Sequence, residues 1–137
     1  MHERAGLQAE PNDLIDVGEL KRAFFETIPD MTNPVQRVAF GTSGHRGSSL
    51  NGSFNEAHIA AISLAIAEYR AAQGIAGPLF IGGDTHALSA PALDVAARVL
   101  SAVGVRVLLP SSTGHDDPAI FVPTPALSRA ILAHNEA

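Results

Sequence analysis

The sequence predicts an α/β domain, with a mixed, largely parallel sheet covered by helices. Three observations carry this. Segments of helical period alternate with short apolar runs. Glycine or proline punctuates nearly every junction. The order after residue 37 reads strand, loop, helix, strand, helix, strand, loop, helix. Alternation of this kind produces parallel strands joined by right-handed helical crossovers. No strand follows the last helix, so the sheet is expected to be the incomplete first part of a larger domain.

Residues 1–12 are polar and without period, and read as a loose arm. Leu14, Val17, Leu20, Phe24 and Phe25 recur at helical spacing, so Asp13 to Thr27 reads as a helix with Asp13 as its cap. Pro29 and Pro34 stop it. The boundary divides an N-terminal arm and helix (residues 1–36) from the α/β domain (residues 37–137). Arg37 to Phe40 reads as a short strand, and Gly41 to Ser53 as a loop. Asn55 caps a long helix to about Gln73, with Ile59, Ile62, Ile66 and Tyr69 as its buried stripe. Gly74 stands where a left-handed C-terminal residue belongs. Leu79 to Ile81 reads as a strand. Ser89 caps the next helix, with Leu93, Ala97, Leu100 and Val103 facing inward and Gly104 ending it. Val105 to Leu109 is a second buried strand, Ser111 to Asp117 a polar loop, and Ile120 to Val122 a short extended piece. Thr124 caps a last helix, with Pro125 in the first position that proline favours.

Of the 137 residues, 46% are apolar and 17% charged, the balance of a globular chain. A chain this long can bury roughly two-thirds of its unfolded surface. The formal charge is −5, and Lys21 is the one lysine beside eight arginines. No basic face for nucleic acid or an anionic membrane is expected. With no cysteine there can be no disulfide, thiolate metal site or thiol nucleophile, which fits a reducing cytoplasm. No basic segment followed by an apolar run opens the chain, so no signal peptide is read. No apolar stretch approaches the roughly 20 residues of a membrane helix.

The most informative segment is Phe40-Gly41-Thr42-Ser43-Gly44-His45-Arg46-Gly47. It is a strand running into a loop with glycines, two hydroxyls and an arginine. Glycines let backbone approach a ligand, and a guanidinium offers a planar fork to phosphate. The loop lacks the Gly-Lys-Ser/Thr ending of a Walker loop and the Gly-x-Gly-x-x-Gly of a dinucleotide site. By composition alone it serves equally as an ordinary tight turn.

Phe-Gly-Thr-Ser-Gly-x-Arg-Gly resembles the opening signature of the α-D-phosphohexomutase superfamily, and Phe40 to Gly47 carries it without a mismatch. The form with His45 followed by Arg46-Gly47-Ser48 is similar to the bacterial phosphoglucomutase branch. So are Arg4-Ala5-Gly6 with Asp13-Leu14-Ile15, and Ser53-Phe54-Asn55-Glu56 with His58-Ile59. Gly83-Asp84-Thr85-His86-Ala87-Leu88-Ser89 and Pro123-Thr124-Pro125-Ala126 followed by His134-Asn135 also agree. The resemblance spans nearly the whole chain, in order. It implies interconversion of glucose 1-phosphate and glucose 6-phosphate through a phosphoserine, with Mg²⁺ and glucose 1,6-bisphosphate in the complete enzyme. It also implies that Arg46 binds substrate phosphate, with Thr42, Ser43, Gly44 and His45 shaping the same wall.

The family's phosphoserine motif, Thr-x-Ser-His-Asn-Pro, is absent, as are its aspartate metal loop and its sugar loop. No catalytic residue, metal ligand or bound cofactor is therefore assigned to this chain alone. Its connection from Ser111 to Val122 is longer than the family's usual one. The alternative to a mutase portion is a non-catalytic truncated domain that binds sugar phosphate weakly or pairs with another chain. Self-association through an open sheet edge is also expected. Ser43 has no histidine–carboxylate pair near it in sequence and reads as a loop hydroxyl. Asp84 with His86 offers too few donors for a metal and reads as a turn aspartate and a structural histidine. His115-Asp116-Asp117 reads as a solvated turn, and His58 and His134 as helix residues that pack or face water.

Overall fold

The structure, a computed structural model, describes residues 5–110 and 121–136. The expected polar loop from Ser111, the His115-Asp116-Asp117 turn and Ile120 lie outside the described residues.

The first helix, α1, spans Val17–Glu26, and its cap is Asp16 rather than the expected Asp13: the Asp16 carboxylate accepts the Glu19 N–H at 3.0 Å. Asp13 instead closes a preceding 3₁₀ turn, Pro11–Asp13, by accepting the Glu10 N–H at 2.7 Å. Both aspartates satisfy free amides at the start of a turn, and only Asp16 has a helix after it. Leu20 and Phe24 are buried, whereas Leu14, Val17 and Phe25 of the expected apolar set are exposed.

The strand expected at residues 37–40 is shorter and pairs within its own loop. Strand β1, Phe40–Gly41, runs antiparallel to β2, Gly44–His45, with Phe40 opposite His45 and Gly41 opposite Gly44. Gly44 takes φ 91°, a left-handed conformation open to glycine, which lets the chain reverse directly after Ser43. A 3₁₀ turn, Ser49–Asn51, then leads to α2, Glu56–Ala72. Helix α2 ends as its sequence predicts, with Gly74 at φ 65°.

Strand β3, Leu79–Phe80, helix α3, Ser89–Ala102, and strand β4, Val107–Leu108, form the predicted crossover. The strands pair in parallel, Leu79 opposite Val107 and Phe80 opposite Leu108. The Leu79 N–H donates to the Arg106 carbonyl at 2.8 Å, and the Ile81 N–H to Leu108 at 3.1 Å. Phe121 makes a parallel bridge to Gly83, which supplies the short extended piece expected before the last helix. Helix α4, Thr124–Glu136, closes the described chain.

Helix α2 packs mainly on α3. Its buried residues are His58, Ser63 and Ala67, not the isoleucine stripe; Ile66 and Tyr69 are exposed. In α3, Val95 and Leu100 are buried, and Val103 is exposed against expectation. The core joins Leu20 and Phe24 of α1 with Val95 of α3 and Leu88 just before it. Phe54, Ile59 and Val99 pack around them. Among the described residues no helix is long and apolar enough to cross a membrane.

Candidate functional site

The hairpin sets the geometry of the glycine-rich loop. Thr42 and Ser43 form its exposed tip, and the chain returns through Gly44 into His45. The His45 ring lies between two others. Phe54 stacks on it at 6.0 Å with planes 12° apart, and His58 at 5.2 Å with planes 22° apart. The Nδ1 of His45 sits 3.2 Å from both the N–H and the carbonyl of Ala39, while its Nε2 is buried without a partner among the described residues.

His58, 2% exposed, is the anchor of this stack. Its Nδ1 accepts the Asn55 N–H at 3.1 Å, so its proton sits on Nε2, which donates to the Gln36 carbonyl at 2.7 Å. Asn55, fully buried, donates from its side-chain amide to the Ala23 carbonyl at 2.8 Å. The start of α2 is thus tied to α1, to the segment before the hairpin and, through the ring stack, to the loop itself.

After His45 the chain lies against the turn that follows it. The Ser48 N–H donates to Ser53 Oγ at 2.9 Å, and the Ser53 N–H returns to the Ser48 carbonyl at 3.0 Å. The Ser49 hydroxyl, fully buried, donates to the Phe54 carbonyl at 2.5 Å. Gly47 lies so close to this turn that a Cβ there would overlap the Ser53 carbonyl and reach Ser53 Oγ at 2.6 Å. Between these fixed points stands Arg46. Its side chain is exposed and makes no hydrogen bond or ion pair among the described residues.

Arg46 opens onto a groove of about 630 Å³. His45, Arg46, Gly47 and Ser48 line it together with Asp84, His86 and Ser89, and Leu20, Phe54 and Leu88 add apolar surface. The structure thus brings His45 and Arg46 to the groove and leaves Thr42, Ser43 and Gly44 outside its lining. The 84–89 segment reads from sequence as a turn, and it is one: Asp84 Oδ1 accepts the His86 N–H at 2.9 Å and the Ser89 hydroxyl at 2.5 Å. Ser89 is therefore spent on Asp84 instead of capping α3. These bonds, the Ser89 hydroxyl first, hold the Asp84 carboxyl below its usual range. The position just past the carboxyl end of β3 was the available signal, because open α/β sheets bind ligands there.

Asp84 and His86 supply two donors, and among the described residues no group of three metal-ligating side chains exists. A second groove of about 600 Å³ lies between α2, α3, β3 and α4; Ile59, Ile62, Phe80, Leu93 and Leu127 give it an apolar lining.

Comparison with known proteins agrees with this geometry. Residues 37–137 match the phosphoglucomutase/phosphomannomutase α/β/α domain I. The chain is 52% identical over 131 residues to a phosphoglucomutase of Komagataeibacter xylinus, a match covering 96% of this chain and 22% of that relative. The chain therefore spans about a fifth of the relative's length. A domain match over most of the chain, with the signature loop lining a groove, places this chain in the phosphoglucomutase/phosphomannomutase family.

Proposed function

We propose that this chain is the phosphate-gripping first domain of a phosphoglucomutase, which interconverts glucose 1-phosphate and glucose 6-phosphate in the cytoplasm. The observation that carries the proposal is the Arg46 guanidinium, unpaired among the described residues and lining a groove from a loop that matches the family signature. An arginine fork presents parallel N–H donors to phosphate oxygens, and charge-assisted bonds of this kind are among the strongest a side chain makes. The ring stack at His45 and the close approach at Gly47 fix the backbone on both sides of Arg46, so little ordering remains when phosphate arrives. Thr42, Ser43 and Gly44 act by shaping the hairpin that carries His45. The phosphoserine and the residues that would hold Mg²⁺, whose charge would offset that of the transferring group, belong to sequence that a full-length phosphoglucomutase supplies, and glucose 1,6-bisphosphate would be the intermediate of that enzyme.

The test is a chimera in which this chain replaces the matching segment of the relative, assayed for conversion of glucose 1-phosphate to glucose 6-phosphate. The chimera is expected to be active, and the 137-residue chain alone to stay at background. Arg46→Ala in the chimera should cost about 1.5–3 kcal/mol, or roughly ten- to hundredfold in kcat/KM. Arg46→Lys should recover only part, since an ammonium cannot make the planar two-point contact. An Arg46→Ala chimera with unchanged kcat/KM would refute the assignment.

A further inference from the structure

Among the described residues, the 84–86 turn has polar groups that its own hydrogen bonds do not use. Both hydrogen bonds to Asp84 land on Oδ1, so among the described residues Oδ2 remains an open acceptor. His86 Nδ1 accepts the Leu88 N–H at 3.1 Å, which places the neutral ring's proton on Nε2. That Nε2–H has no partner among the described residues. An anionic acceptor and a ring donor therefore belong to one turn, and both residues line the groove that Arg46 also lines. A carboxylate repels phosphate, so this turn is unsuited to the charged end of a ligand. It suits a hydroxyl, which donates to one group while accepting from the other. In the same groove, Leu20, Phe54 and Leu88 offer apolar surface of the kind that covers the C–H face of a sugar.

We propose that Asp84 and His86 form a hydroxyl-reading subsite, so that the groove takes a polyol phosphate with its phosphate on Arg46 and its hydroxyls on the 84–86 turn. The subsite depends on Arg46 holding the phosphate, and it adds what distinguishes a sugar phosphate from phosphate alone. Two hydrogen bonds of ordinary net strength predict a preference of about tenfold or more for glucose 1-phosphate over inorganic phosphate.

The experiment is an NMR titration of the 137-residue chain with glucose 1-phosphate and, separately, with inorganic phosphate. Two variants keep the turn: Asp84→Asn retains an Oδ1 acceptor for His86 and Ser89, and His86→Asn retains an acceptor for the Leu88 N–H. Each should bring the preference close to one while leaving the affinity for inorganic phosphate within about twofold. Arg46→Ala should weaken both ligands. If both turn variants keep the full preference while Arg46→Ala weakens both ligands, the subsite is refuted and the role of Arg46 stands. A wild-type chain without preference refutes the subsite alone. A chain that binds neither ligand refutes both.

Discussion

Replacing Gly47 with alanine tests how the phosphate loop is held. The added Cβ would overlap the Ser53 carbonyl, which is backbone and cannot rotate away as a side chain would. To make room, the 48–53 turn must shift. That strains the Ser48 N–H bond to Ser53 Oγ at 2.9 Å and the Ser53 N–H bond to the Ser48 carbonyl at 3.0 Å. Two bonds at about 1 kcal/mol each give about 2 kcal/mol, within the roughly 1–3 kcal/mol usual for overpacking. Urea denaturation is the assay. With a slope of about 1–2 kcal/mol/M, the midpoint should fall by about 1–2 M. Gly77→Ala is the control: nothing stands within 4 Å of a Cβ there and its φ is ordinary, so the midpoint should hold or rise slightly. Equal midpoints for wild type and Gly47→Ala would refute the close approach, and with it the account of how Arg46 is fixed.

Other outcomes follow from the same structure. Gly44→Ala places a side chain at φ 91° and should cost about 1–2 kcal/mol by the same denaturation, although no atom crowds the site. Asp84 titrates below its usual range, so its contribution to stability is complete above about pH 4 and is lost as pH falls through the depressed value. Ser89→Ala removes the largest cause, and a carbon-detected carboxyl titration should show Asp84 moving back up; an unmoved Asp84 would contradict the hydrogen bond as that cause. Strands β3 and β4 each keep an outer edge without a strand partner among the described residues, beside an apolar groove. Sedimentation of the chain should therefore show concentration-dependent association, while a monomer at every concentration would mean those edges are protected.

Much of the fold was legible because local rules and tertiary packing agree. Asn55 and Gly74 bound α2, and Gly104 stands at φ 82° just past α3. The parallel pairing of β3 and β4 follows from the helix between them. What the sequence hid were choices between equivalent local options. Asp13 and Asp16 are both competent caps, and the one with a helix ahead of it became the cap of α1. The stripe of α2 holds only in part: Ile59 packs against the core, whereas Ile66 and Tyr69 are exposed and Ser63 and Ala67 are buried. At the site, the signature loop announced Arg46, but the reversal at Gly44 and the ring stack on His45 did not show in residue types. The 84–89 segment reads as a turn, yet its place in one groove with Arg46 exists only once residues distant in sequence are packed together.

The central claim is that Arg46 is the phosphate-binding group of this chain, and its side-chain resonances report on that directly. Nitrogen-15 NMR of the guanidinium groups during a glucose 1-phosphate titration should show a saturable shift at Arg46. Arg106, whose side chain is exposed and likewise without a hydrogen bond or ion pair among the described residues, should stay in place. An Arg46 signal that does not move, or that moves no more than Arg106, would contradict the claim.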